Sequence, residues 1–274
     1  MPREGRVFPR SGNEPEWMLT SDVLQRPGRC DHLVQTYTDD RHLARVVADY
    51  IGAGLARDEA AVMIATPPHV QLFVHRLTAL GVDVPGAIDR RQVLILDAQE
   101  TLASFMIDGW PDRDRFLRIV AAALEHVRPA ASRGLRLYGE MVELLWRDSA
   151  DATMELERLW SEVLHAEGVS LLCGYRLDGL DRRLQGVLRW ITRTHSHLLP
   201  AQDQPRFERA VDRAYGEVFG TGQDVQVLRE LMVTSANLGT VMSEAQAALL
   251  ALDTMPAVIA NDVRARAHRH YCRA

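Results

Sequence analysis

Two textures of hydrophobic pattern alternate through the middle of the chain. Short runs of continuous apolar residues, such as residues 60–66 (AAVMIAT) and 93–98 (VLILDA), are separated by longer stretches with apolar residues at helical spacing. A continuous apolar run is what a strand covered on both faces requires. The pattern predicts strands at 33–37, 60–66, 93–98, within 134–141, and at 169–175. Between them it predicts helices at 41–55, 70–80, 99–106, 112–127 and 153–165, with another starting in 142–146. Pro67 and Pro68 are read as ending the second strand, and Gly81 as closing the helix after it. Asp108-Gly109-Trp110-Pro111 reads as a turn between two helices.

Apolar strands in strict alternation with helices predict an α/β fold, a mainly parallel sheet with helices on both faces. After Leu180 the texture becomes all-helical, with no convincing strand. Leu184, Val187, Leu188 and Ile191 form one stripe, and Phe207, Val211, Tyr215 and Val218 another. Residues 225–255 read as one long or two shorter helices, and 257–270 as a last one. The chain thus divides into a flexible leader (1–30), an α/β domain (31–199) and a helical C-terminal region (200–274).

Composition narrows the setting. A net charge of -5 and 47% hydrophobic residues describe an ordinary globular protein with no bulk attraction to nucleic acid. All basic residues are Arg, which we read as genomic composition. Three cysteines, Cys30, Cys173 and Cys272, fit neither a disulfide framework nor a zinc spacing. No signal-peptide run and no apolar stretch of membrane-spanning length is present, so a cytoplasmic protein is expected.

Candidate chemistry concentrates at the predicted carboxyl ends of strands, where ligands of open α/β sheets bind. No Gly-rich phosphate loop with a Lys occurs, and Asp39 and Asp40 stand where the first helix begins, which would repel a phosphate. Gly52 and Gly54 lie within a helical pattern and read as packing glycines. Glu140, after Tyr138, stands at the end of the fourth strand and is read as facing a cleft, or as a cap or Arg partner. Asp97 ends the third strand, with a helix N-cap as the equal alternative. His32 precedes the first strand and reads as a structural or a ligand histidine. His195 and His197, one residue apart, are weak metal candidates with no third ligand evident nearby. The locally basic end, 264–273, is read as offsetting a helix dipole. No nucleophile elbow, zinc-protease pair or calcium loop is found.

Taken together, several segments resemble the MEDS family of methanogen/methylotroph sensory domains. They are His32 with Gln35 and Tyr37, then AAVMIATPPH, VLILDAQETLASFMIDGWPD, YGEMVELLW, LERLW and SLLCGY, in the family's order. HSHLLP resembles the segment that comes after the domain in family members. The resemblance implies a RecA/KaiC-like fold without the Walker A loop and a sensory, non-catalytic role. It implies no cofactor and a small-molecule ligand or signalling protein as partner. The expected ligand-facing residues are His32, Tyr37, Thr66, Asp97, Tyr138, Glu140 and Tyr175. Two alternatives stay open: a residual nucleotide-binding protein or ATPase using Arg41, Arg136 and Glu140, and an interaction scaffold that forms oligomers through its C-terminal helices.

Overall fold

The computed structural model describes residues 22–178, 180, 187–223, 226, 227, 230 and 240–273. Leu184 and Val225, and the side chains of Val187 and Leu188, lie outside what is described. A six-stranded sheet forms the centre, in the order β3-β2-β6-β7-β1-β8, with every pairing parallel. Its strands are β1 (His32–Tyr37), β2 (Ala60–Ala65), β3 (Val93–Asp97), β6 (Leu135–Gly139), β7 (Ser170–Arg176) and β8 (His197–Leu198). Parallel strands need crossovers, and here the crossovers are helical and cover both faces.

Side chains alternate along each strand, so one residue serves one face and the next residue the other. Leu33, Tyr37, Met63, Tyr138 and Leu172 pack under α1 (Asp40–Leu55), α2 (Pro67–Ala79) and α3 (Val84–Asp89). Val34, Ile64, Leu171, Cys173 and Tyr175 pack under α4 (Ala98–Phe105), α5 (Arg113–Val127) and α7 (Ala150–Glu167). All six residues of β2 are buried, as its apolar run predicted. A short α6 (Met141–Leu145) follows β6.

Several boundaries differ from the sequence expectation, each for a physical reason. Pro67 and Pro68 do not merely end a strand; they occupy the first turn of α2. Proline's missing N–H has no helical acceptor there, and its fixed φ suits the helix. The turn at 108–111 is a two-residue hairpin joining β4 (Met106–Ile107) to β5 (Trp110–Pro111). Asp108 and Gly109 have φ of 49° and 78°, the left-handed pair such tight hairpins need. The region after Leu180 does contain a strand: β8 is two residues long, too short to leave a periodic signal.

Beyond β8, helix α8 (Val187–Thr194) having preceded it, lie α9 (Gln204–Phe219), α10 (Glu244–Ala251) and α11 (Ala257–Arg273). Phe207, Val211, Tyr215, Leu249 and Val263 form a separate core among them. Residues 240–243 are not helical, so a single helix over 225–255 is excluded. Ser243 and Gln246 form a reciprocal capping box at the start of α10. Arg264, in the basic final segment, is buried and bonds Asp253 and the Leu249 carbonyl. Among the described residues no helix is long and apolar enough to cross a membrane.

One buried ion pair fastens the amino-terminal edge of the sheet. The Arg136 guanidinium on β6 is 1% exposed and donates to Glu59 at 2.5 Å. It also donates to the carbonyls of Leu24, Tyr50 and Gln25 at 2.7–2.8 Å. Gly54 makes room for it, since a Cβ there would lie 2.6 Å from the Arg136 Nε. Arg136 is therefore a structural clamp at the end of β6 opposite Glu140, and it does not face the edge where a phosphate was imagined. Removing one partner of a buried pair leaves the other charge unsolvated. Glu59→Ala is expected to destabilise the fold by about 3–5 kcal/mol in urea titrations; a loss below about 1 kcal/mol would show that the clamp does not hold the edge.

Candidate functional site

Apart from Asp97 and His197, the expected ligand-facing and metal-binding residues fall into two groups on opposite faces of the sheet. On the α1/α2 face, the first group converges on Glu140, whose carboxylate is 2% exposed. One oxygen accepts from the Thr66 backbone N–H at 2.5 Å. The other accepts from the Tyr138 hydroxyl at 2.9 Å and lies 2.6 Å from the His69 Nδ1. Glu140 thus joins the ends of β2 and β6 to the first turn of α2. The His69 Nε2 reaches Asp40 at 3.4 Å, and Asp40 pairs with Arg176 at the end of β7. The Arg176 guanidinium lies over the Tyr37 ring, 5.2 Å from its centroid. Glu143 accepts from the Arg176 backbone N–H at 2.8 Å.

This network accounts for Tyr37, Thr66, Tyr138 and Glu140, and adds His69, Asp40, Arg176 and Glu143. His69 had a sequence signal in hindsight, a histidine in the first helical turn after a strand end. Asp97 does not join it. Its carboxylate accepts from the Gln99 and Glu100 N–H groups at 2.8 and 2.9 Å, as the cap of α4. The β1–α1 connection is only Thr38 and Asp39, and the Asp39 side chain accepts from the Arg41 N–H at 3.0 Å. A carboxylate of the protein itself occupies the helix entrance, and the link is too short to wrap a phosphate.

On the α7 face lies the second group, His32 and Tyr175, joined by His195. His32 opens β1, and Cys173 stands on β7 beside Val34 in register. Glu157 reaches in from α7, and His195 from the link between α8 and β8. The His32 Nε2 lies 3.3 Å from the Cys173 Sγ and 3.4 Å from a Glu157 oxygen. The His195 Nε2 lies 3.6 Å from the other Glu157 oxygen, to which the Tyr175 hydroxyl donates at 2.5 Å. Each imidazole donates its Nδ1–H to a backbone carbonyl, His32 to Thr194 at 2.9 Å and His195 to Ile191 at 2.8 Å. His197 does not join them; its Nδ1 lies 2.9 Å from the Ser196 hydroxyl, and its ring is half-buried.

Ser196 fixes this link onto β1. Its backbone N–H donates to the His32 carbonyl at 2.7 Å. Its hydroxyl accepts from the His32 N–H at 2.9 Å and lies 3.1 Å from the same carbonyl.

Burial governs the titration of both groups. On the α7 face it pushes the Glu157 carboxyl up to about 8, against the Tyr175 hydrogen bond, and lowers His195 to about 4. It also lowers His32, assisted by His195, and raises the Cys173 thiol, assisted by Glu157. On the other face, burial raises Tyr138, and Glu140 adds to the effect. His69 goes the opposite way to the other buried histidines. Burial acts to lower it, but the hydrogen bonds and charges of Glu140 and Asp40 prevail and raise it.

A histidine raised in the folded state contributes stability that is fully present below its ordinary value near 6.5. That contribution fades as pH rises through the folded value. Asp40, Glu140, Glu143, Tyr37, Tyr138 and Arg176 are the ionisable groups around it. His69→Ala is expected to lose about 1–3 kcal/mol near pH 5.5 and distinctly less near pH 9. Equal losses at both pH values, measured by urea unfolding, would show that His69 is not held protonated.

No match to a curated protein was found. The family model of the MEDS domain, the methanogen/methylotroph DcmR sensory domain, matches residues 31–196. That match spans well over half of the chain and contains every residue of both groups, so the chain belongs to the MEDS family of sensory domains.

Proposed function

We propose that the chain is a non-catalytic, cytoplasmic regulatory protein whose MEDS domain binds a small molecule or a signalling protein and whose C-terminal helices transmit the bound state. Family membership supports the sensory role. The observation that carries the transmission is the segment 194–200, which is bonded on one side to β1 and on the other to the helical region. Leu199 N–H donates to the Val34 carbonyl at 2.9 Å, and the Gln35 amide donates to the Pro200 carbonyl at 3.1 Å. From the tail, the Thr240 hydroxyl is shared between the Thr192 and His195 carbonyls, at 2.5 and 3.0 Å, and the Gln246 amide donates to the Leu199 carbonyl at 2.8 Å. Within the segment the Leu198 N–H donates to the Val241 carbonyl, and the Val241 N–H donates to the Ser196 carbonyl, each at 2.8 Å. These bonds are the route by which a displacement of β1 would reach the tail.

A groove of about 610 Å³ runs beside this segment, lined in part by Gln35, His42, Arg45, Asp49, Leu199 and Gln202. It touches β1, α1 and the link at once, and we assign the ligand to it. The carboxyl edge around Glu140 is filled by the protein's own side chains and serves as the rigid floor. We read the sheet as a RecA/KaiC-like one that has lost its phosphate loop, on the strength of the two-residue β1–α1 link. No observation favours nucleotide use, since Arg136 is committed at the opposite edge.

A ligand shifts a tail only through unequal affinity for two states. Native mass spectrometry of the purified full chain is expected to report a bound small molecule or partner. Titrating that species back is expected to change hydrogen exchange in 240–273. Binding that leaves tail exchange and oligomeric state unchanged would overturn the reading. The coupling itself predicts that Thr240→Val speeds amide exchange at Leu198 and Val241 by about tenfold, one lost hydrogen bond of ~1.4 kcal/mol, while β2 stays protected.

A further inference from the structure

We propose that His32, Glu157, Cys173 and His195 form a closed four-ligand site for one borderline-soft divalent metal ion, zinc being the best fit. The site is independent of the sensory reading above. Four side chains from β1, α7, β7 and the α8–β8 link, all buried, bring one ligand atom each to within 4.8 Å of one another. Two imidazole nitrogens, a thiolate and a carboxylate are a donor set zinc takes in tetrahedral sites. Bonds of ~2.0–2.3 Å at tetrahedral angles place neighbouring ligand atoms about 3.3–3.6 Å apart. The observed separations are 3.3 Å from the His32 Nε2 to the Cys173 Sγ, 3.4 Å from the His32 Nε2 to the Glu157 Oε2, and 3.6 Å from the His195 Nε2 to the Glu157 Oε1, so the carboxylate turns one oxygen toward each imidazole.

The tautomers point the same way. Both Nδ1–H groups are taken by the carbonyls of Thr194 and Ile191, so each Nε2 lone pair faces the shared space. That is how the second shell orients metal-bound histidines. Tyr175 holds the carboxylate in place similarly. The strongest argument is what remains unpaired. The His195 Nε2 and the Glu157 Oε2 are fully buried and have no hydrogen-bond partner. An orphaned buried polar atom costs about 1–3 kcal/mol, and two of them in one cluster are what a shared cation would satisfy. A dication satisfies both. With one thiolate and one carboxylate it also makes a neutral unit, which a site without a paired Arg requires.

The exposed pair His268 and Cys272, one helical turn apart on α11, is the source of surface binding to be separated from this site. Full-length protein is stripped with a chelator and titrated with Co²⁺ and with Zn²⁺. About one tightly held equivalent per chain is expected, with Co²⁺ giving the visible spectrum of a four-coordinate site with a sulfur ligand. Cys173→Ser should remove the sulfur-to-cobalt band, His195→Gln should lower the stoichiometry at least tenfold, and Cys272→Ser should change neither. The wild-type titration stands even if a variant fails to fold. Wild-type protein that takes up neither ion, or a sulfur band lost in Cys272→Ser and kept in Cys173→Ser, would overturn the proposal.

Discussion

Strand β6 is held at each end by a buried charged side chain, and the placement of its neighbours depends on how each is satisfied. At its start the Arg136 guanidinium takes Glu59 and three backbone carbonyls from the segment before β1 and from α1. At its far end the Glu140 carboxylate takes an N–H from the end of β2, a hydroxyl and an imidazole. A charge removed from water is tolerable only when its hydrogen-bonding capacity is filled. The partners therefore have little freedom. The loop before β2 must deliver Glu59, α1 must keep Gly54 bare, and α2 must begin where His69 can reach back. The apolar packing of the sheet supplies the bulk of the driving force, and these two side chains determine where the elements lie.

The same sheet treats polar groups differently on its two faces. Under α1 and α2, Glu140, Tyr138, His69, Asp40 and Arg176 form a chain in which each group finds a complement, a self-sufficient arrangement suited to a rigid floor. Under α7, Glu157, His32, Cys173 and His195 meet with the Glu157 Oε2 and the His195 Nε2 left without a hydrogen-bond partner. The alternation of side chains along β1 produces the division: His32 and Val34 belong to one face, Leu33 and Tyr37 to the other. Both faces reach the segment that leads to the tail, the α7 face through His195 and the α1 face through Gln35 and Leu199.

Much of the fold was legible because strands covered on both faces leave continuous apolar runs. VLILD and AAVMIA could hardly be anything else between helical periods. β8 was not legible, since two residues carry no period, and it is flanked by bonds between Ser196 and His32 and by a bridge to Val241. At the site, Glu140 and Tyr138 were visible from their position at a strand end. Asp97 was open to two readings, a ligand-facing acid and a helix N-cap, and the structure shows the cap, a competition that local sequence cannot decide. Glu157 was hidden within the Leu156–Leu159–Trp160 stripe, where an acid among apolar residues was the available signal. Cys173 was weighed only against other cysteines, whereas its neighbours in space are histidines far away in the chain.

The HSH segment contains an ambiguity that the fold must resolve. His195 and His197 are two residues apart, the repeat of an extended chain, so a slip of two along β1 would swap one imidazole for the other with the same face still inward. The Ser196 hydroxyl grips both the N–H and the carbonyl of His32 and so acts as a latch on the register. Which histidine enters the interior is thus decided by a residue that never enters it. A shift of this latch would retune the buried cluster and displace the start of the tail by the same two-residue step.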